Sequence, residues 1–176
     1  LTATLFWQQL SQKVFDTCLP ELLRLIPRSS LLDAAKHLGA HLAAATLAQP
    51  ARTLRLAVPA FCSLLLRPKV AGSPRALRPL SEPELLWMVP LLAQTVRHGG
   101  ADLLEHWAEL TDVLNVLRAH ESLAVAKAAY KLRRRLLQSL LSTYTTDLRS
   151  LPPAAWHHPR VREAPWECWG WVPPRK

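Results

Sequence analysis

Two histidines, His37 and His41, stand four residues apart in a stretch rich in leucine and alanine. On a helix this spacing places both imidazoles on one face, where they could bind the same metal ion. A zinc protease motif needs a glutamate directly after the first histidine, but this chain has Leu38 there. Since no third ligand is evident, the pattern favours two histidines on the side of a packed helix.

A second metal candidate combines His157 and His158 with Cys168. It is equally weak, because adjacent side chains in extended backbone point in opposite directions. We therefore expect no metal site in this chain.

Residues for catalysis are also lacking. No serine lies in a G-x-S-x-G motif, and no glycine-rich loop could hold a phosphate group. Glu105 and Glu109 share a helix face with His106 between them, which indicates a solvated polar stripe. We expect that the protein has no catalytic residues and is not an enzyme.

A cationic run is the best candidate for ligand binding. The acid-free stretch 122–146 contains five basic residues that could contact an anion, namely Lys127, Lys131, Arg133, Arg134 and Arg135. On a helix they cannot all face one way. The run is either a solvated helix side or a surface for an acidic or phosphorylated partner. Direct nucleic-acid binding is disfavoured because the tryptophans, which could stack on bases, are clustered elsewhere in the chain.

Charge and composition limit the kind of protein this chain can be. The net charge is +9, and a second acid-free stretch, 34–81, contains seven basic residues, so two basic surfaces are expected. The three cysteines have no disulfide or zinc spacing, which favours a reducing compartment. No apolar run reaches the ~18 residues of a membrane span. We expect a soluble protein of nucleus and cytoplasm, and the start at Leu1 suggests a piece of a longer chain.

The elements that carry these residues are predicted to be helices. Leucine and alanine dominate, while glycine and strand-forming residues are scarce. Ser30 with Asp33 and Ser81 with Glu84 are capping pairs at helix starts. Periodicity, capping pairs and prolines predict helices at about 2–19, 31–49, 51–66, 82–98, 103–117 and 121–144. The fifth of these has one apolar stripe, formed by Leu103, Trp107, Leu110, Leu114 and Leu117.

The fold class is predicted as all-α. Antiparallel helix pairs at a period of roughly 40 residues are typical of a HEAT-like α-solenoid, with a closed bundle as the rival. Residues 1–150 form the helical repeats, interrupted by an exposed basic, proline-rich loop at 67–80. Helical periodicity ends after Leu151-Pro152-Pro153, so we expect residues 151–176 to be an extended, Pro/Trp-rich segment.

Three stretches in order resemble one protein family. "TLRLAVPAFCSLLL" at 53–66 carries a V-P-x-x-C-S element, and "ELLWMVPLLAQTVRHGGADLL" at 84–104 carries an E-L-L-W helix with a glycine-marked turn. Tyr144-Thr145 then precedes a Pro/Trp segment that ends in Trp171-Val172-Pro173. This series resembles the proteasome activator complex subunit 4 family of very large single-chain HEAT-repeat activators. The resemblance implies that residues 151–176 connect two repeats and that their rings pack across helix ends. Pro90 inside the E-L-L-W helix is a departure from the family pattern.

The resemblance implies a function. Such proteins cap the proteasome core particle and open its gate without ATP, promoting degradation of peptides, unstructured proteins and acetylated histones, with a link to DNA repair. Inositol phosphate is the ligand that the resemblance implies, with no cofactor required and no residue here assigned to it. The alternatives are a generic HEAT scaffold and a basic nucleic-acid-binding helical domain.

Overall fold

The computed structural model describes residues 3–28, 32–68 and 75–143. Its α-helices, numbered in chain order, are α1 (Ala3–Gln9), α2 (Gln12–Arg24), α3 (Leu32–Ala48), α4 (Pro50–Leu65), α5 (Glu82–Thr95), α6 (Trp107–Arg118) and α7 (Leu123–Thr143). Short 3-10 turns cover Ile26–Arg28, Val96–His98 and Gly100–His106.

The helices pack in two layers. Helices α1, α3, α5 and α7 lie side by side in one layer, each against the next, while α2, α4 and α6 form the other. Consecutive helices join the layers, as α3 with α4 and α6 with α7 do. This alternation is the arrangement of a helical-repeat solenoid, so the predicted all-α, HEAT-like fold is confirmed.

Helix α3 shows why several helices are apolar on more than one side. It packs against α1, α4 and α5 together. Five consecutive residues, from Leu42 to Thr46, are buried, which no helix with one wet face could achieve. Thr46 satisfies its hydroxyl by donating to the Leu42 carbonyl at 2.9 Å.

The first predicted helix is wrong in two respects. The chain forms two helices there, separated at Leu10 and Ser11, and α2 continues to Arg24 with Pro20 inside it. A proline costs one backbone hydrogen bond in a helix interior. Here Leu19 and Leu23 on either side of Pro20 are both buried, so tertiary packing maintains the helix through that position.

The start of α5 follows the sequence prediction. Ser81 precedes the helix, and its backbone N–H donates to the Glu84 carboxylate at 2.7 Å, as in a capping box. Pro90 lies within the helix, as the sequence requires. The Trp87 indole N–H donates to the Ile26 carbonyl at 2.7 Å, which ties α5 to the end of the α2 region.

The turn after α5 depends on two glycines. Gly100 has φ of 55°, in the left-handed region that glycine tolerates. A Cβ on Gly99 would lie 2.7 Å from Leu103 Cγ and 2.9 Å from Leu54 Cδ1, so only glycine fits where this turn meets α4. The chain then forms a 3-10 turn rather than the predicted α-helix until Trp107. The predicted apolar stripe from Leu103 to Leu117 is nevertheless buried throughout.

Three sequence predictions lie outside the described residues. These are the Ser30–Asp33 capping pair, which needs Ser30, the metal candidate His157/His158 with Cys168, and the whole segment 151–176. The basic loop is described only at its two ends, 67–68 and 75–80.

Candidate functional site

The predicted cationic run divides into two sides of α7. Lys131, Arg134 and Arg135 line a groove between α5 and α7, whereas Arg133 is half-buried and is not among the lining residues. Lys127 lies one turn before Lys131 and is exposed. The structure therefore brings three of the five candidates together, as helix geometry requires, and their binding of an anion stays a prediction.

Small residues make room for this groove. On the α5 side it is lined by Pro90, Ala93 and Gln94, and on the α7 side Ala128 and Gln138 accompany the three cations. The groove has a volume of about 410 Å³. Because proline and alanine side chains are short, the two helices leave an open channel between them while their buried faces still pack.

The charge of the groove is unbalanced. None of its lining residues is acidic, and no described carboxylate forms a salt bridge with Lys131, Arg134 or Arg135. Arg135 Nη1 donates instead to Gln138 Oε1, a long contact of 3.4 Å. Cations without counter-charges attract anions and carry little cost on a wet surface.

A neighbouring groove extends the positive surface toward α3. It has a volume of about 320 Å³ and shares Gln94 with the first groove, while Arg97 and His98 add to its lining. Burial lowers the pKa of His98 below its ordinary value, and the charges of Arg97 and Arg135 lower it further. Because the two grooves share Gln94 and both are lined by cations, we treat them as one surface, which we call the α7 cationic surface.

The other basic region, at the ends of the loop 67–80, has acidic side chains beside its arginines. Arg67, Arg75 and Arg78 surround a pocket of about 270 Å³ that also contains Glu109. Arg75 lies 3.6 Å from the Asp112 carboxylate of α6. The second expected basic surface is thus partly neutralised by acidic residues that stand far away in sequence.

Backbone hydrogen bonds fix the two described ends of the basic, proline-rich loop, although most of their residues are exposed. The Arg67 N–H donates to the Ala76 carbonyl at 2.9 Å, and the Arg78 N–H donates to the Leu65 carbonyl at 2.8 Å. Leu66 and Leu77 form an isolated antiparallel bridge, with Leu66 buried and Leu77 half-buried. The two ends of the loop are paired with each other, and this paired structure is called the loop clasp below.

A thiol, an imidazole and a carboxylate also occur in this region, a combination that the sequence did not indicate. His106 Nδ1 lies 3.4 Å from the Glu109 carboxylate, and Glu105 on the same predicted stripe is exposed. Burial raises the pKa of the Cys62 thiol to about 12, and the charge of Glu109 adds to the increase. A catalytic cysteine needs a lowered pKa to form the thiolate. Cys62 therefore stays a protonated, packed thiol at neutral pH.

The histidine pair is divided by the packing. His41 Nδ1 accepts a hydrogen bond of 3.3 Å from the Trp7 indole N–H, so it joins α1 to α3. His37 is exposed. Within the described residues no group of three or more His, Cys, Asp or Glu side chains could hold a metal ion.

The described part of the chain contains no helix that is both long and apolar enough to cross a membrane. The architecture on either side of the α7 cationic surface is that of a HEAT-like helical array, built from packed layers. Comparison with protein families matches residues 1–173 to the model described as proteasome activator complex subunit 4, mid HEAT repeats region. The chain belongs to this family.

The match also covers the first fifty residues, which carry none of the motifs noted in the sequence. Neither the search of curated proteins nor that of solved structures found a match. Proteins of the proteasome activator class are generally non-enzymatic and partner with the proteasome.

Proposed function

We propose that this chain is a non-catalytic part of the HEAT array of a proteasome activator. The observation that carries the proposal is the family match over residues 1–173, and the two-layer stack supports it. The whole activator caps the core particle and promotes gate opening without ATP. It thereby promotes the degradation of peptides, unstructured proteins and acetylated histones, in nucleus and cytoplasm.

The contribution of this chain is mechanical and electrostatic. Its packed layers form a section of wall, and the α7 cationic surface contributes positive charge to one side of that wall. Basic histone tails are repelled by such a surface. Any histone contact therefore belongs to other parts of the protein, and inositol phosphate is the ligand class we propose for Lys131, Arg134 and Arg135.

Capture of partners tests the main proposal. The chain in its natural protein is tagged and isolated from cells, and co-purifying proteins are identified by mass spectrometry. We expect subunits of the proteasome core particle. Recovery of a different assembly without core subunits would favour a generic HEAT scaffold instead.

Anion binding is tested separately with inositol hexakisphosphate as the probe. We expect it to raise the melting temperature of the chain, with the effect weakening as salt concentration rises. The double variant Lys131→Gln with Arg134→Gln should lose most of this effect. Arg118→Gln on α6 is the matched control, because Arg118 is also exposed but lies outside both grooves. An equal shift in both variants would contradict the assignment.

A further inference from the structure

The two grooves of the α7 cationic surface meet at Gln94. The first, which we call the α7 groove, lies between α5 and α7. The second, which we call the α3 groove, is lined by Thr4 of α1 and by Ala40, Ala43 and Ala44 of α3. Because α1, α3, α5 and α7 lie side by side, the joined grooves cross the layer from α7 to α1. Together they are called the cross-layer trough below.

Small side chains make room for the trough. Pro90 and Ala93 line it on α5, and the three alanines of the α3 groove line it on α3. Gly39 on α3 also lets α5 approach closely, because a Cβ at Gly39 would lie 3.2 Å from Gln94 Cγ. The helices are therefore in contact, yet their short side chains leave space on both sides of Gln94.

Both parts of the trough carry positive charge. Lys131, Arg134 and Arg135 line the α7 groove. Arg97 lines the α3 groove together with His98. No acidic side chain among the described residues lines either groove. A ligand that lies in both grooves must therefore carry negative charge along its length and not only at one end.

The width of the helical layer determines how long such a ligand must be. Axes of packed helices are about 8–10 Å apart, so the three steps from α7 to α1 span about 27 Å. An extended polypeptide advances about 3.3 Å per residue, so about eight residues cover this span. A compact anion can occupy the α7 groove alone, but only an elongated ligand reaches from the α7 cations to Thr4 on α1.

The uncharged lining residues favour a polypeptide over a nucleic acid. Gln94 and Gln138 can donate hydrogen bonds to peptide carbonyls and accept them from peptide N–H groups, and so can the hydroxyl of Thr4. No Trp, Tyr or Phe side chain in the described part of the chain lines either groove. The trough therefore lacks the aromatic surfaces on which the bases of single-stranded nucleic acids stack.

We propose that the cross-layer trough binds an extended, acidic polypeptide segment of about eight residues. Its carboxylates would pair with Lys131, Arg134 and Arg135 in the α7 groove and with Arg97 in the α3 groove. The proposal rests on the anion site proposed above for the α7 cationic surface, and it adds a second ligand and the α3 groove to that site. An inositol phosphate in the α7 groove and the acidic segment then compete for the same cations.

Fluorescence anisotropy with labelled synthetic probes tests the chemistry of the ligand. The probes are an unstructured peptide of about eight alternating glutamates and serines, the same peptide with lysine in place of glutamate, a glutamate–serine peptide of half the length, and an oligothymidylate of matching length. We expect the long acidic peptide to bind the chain about tenfold more tightly than each of the others, with an affinity that falls as salt rises. Equal or tighter binding of the short peptide, the lysine peptide or the oligonucleotide would overturn the proposal.

Single substitutions distinguish the two grooves. Arg97→Gln should weaken binding of the long acidic peptide about fivefold, the effect of one partly exposed ion pair, and should leave the rise in melting temperature caused by inositol hexakisphosphate unchanged. Lys131→Gln should reduce both effects, whereas Arg118→Gln, outside both grooves, should reduce neither. Arg97 is exposed, so a thermal melt should show that its variant folds normally. Unchanged peptide affinity in Arg97→Gln would exclude the α3 groove from the site and overturn the proposal.

Competition tests whether the peptide and the inositol phosphate share the α7 groove. Inositol hexakisphosphate should displace the labelled long peptide, and simultaneous binding of both would overturn the shared site. If the hexakisphosphate does not bind but the peptide binds and depends on Arg97, the inositol phosphate assignment fails and the trough stands. Capture of proteasome subunits is a separate readout, so failure of the proposed function is distinguishable from failure of the trough.

Discussion

The loop clasp and the α7 cationic surface are both basic in sequence, but only one of them remains unbalanced in the folded chain. At the clasp, Arg75 faces Asp112 on α6 and shares a pocket with Glu109. On α7, Lys131, Arg134 and Arg135 face glutamines and short apolar side chains. A run of positive charge is therefore structural where the fold brings carboxylates to it, and available to a ligand where the fold does not.

The largest expected change in stability is at Asp112, which supplies a counter-charge to the loop clasp. Asp112→Lys removes the partner of Arg75 and adds a like charge beside it, and we expect a loss of about 2 kcal/mol in unfolding free energy. Urea denaturation measures this loss. The exposed residue Asn115 provides the control, since Asn115→Lys adds a cation to the same helix and should change stability by less than about 0.5 kcal/mol. Equal effects would show that Arg75 and Asp112 are not coupled.

Alkaline pH tests the buried thiol of Cys62 on α4, which shares a pocket with arginines of the loop clasp. The pKa of Cys62 is raised from 9.0 to about 12 in the folded chain, so between these values the unfolded chain releases the thiol proton more readily. Stability should fall as pH rises above 9.0, by about 1 kcal/mol at pH 10. Denaturation curves at several pH values measure the slope. Cys62→Ser should flatten it, whereas Cys18→Ser, at a half-buried site, should not.

A carboxylate added to the α7 cationic surface should stabilise the folded chain, whereas removal of a carboxylate at the loop clasp should destabilise it. Gln138→Glu places an acid one turn after Arg134 and Arg135, and we expect a stabilisation of about 0.4 kcal/mol that disappears at high salt. Thermal melting at two salt concentrations measures it. In a background of Arg134→Gln and Arg135→Gln the gain should vanish, and a loss of stability in the original background would contradict the picture of unbalanced cations.

The smallest expected effect is a change in the pKa of His98. Arg135→Gln removes one of the charges that lower the His98 pKa, so this pKa should move upward toward its ordinary value. Nuclear magnetic resonance of the imidazole follows the change. With the original arginine, stability should decline as pH falls below 6.5, since the unfolded histidine binds its proton first. Arg133→Gln is the matched control, and an equal shift there would argue against a local effect.

Much of this architecture could be read from the sequence because local signals agreed with it. The capping box at Ser81 and Glu84, the stripe from Leu103 to Leu117 and the length of α7 all appear as predicted. These features depend on residues close together in the chain. Pro20 shows the limit, because a strong local breaker was overruled by the burial of Leu19 and Leu23.

The candidate site was predictable only in part for the same reason. Periodicity shows that Arg133 cannot share a face with Lys131 and Arg134. It does not show that Pro90 and Ala93 would leave a groove opposite them, or that Arg97 and His98 would extend the surface. Those facts depend on how α3, α5 and α7 align, which is set by contacts between residues far apart in the chain.

By itself the amino-acid sequence determined the helical class, most helix boundaries, the concentration of positive charge and the family motifs. All of these depend only on composition and on the spacing of residues that are close together in the chain. Only the tertiary structure decided which cations would be neutralised. Asp112 attracts Arg75 because the two side chains lie 3.6 Å apart in the folded chain. Their separation in the sequence gives no indication that they would be neighbours.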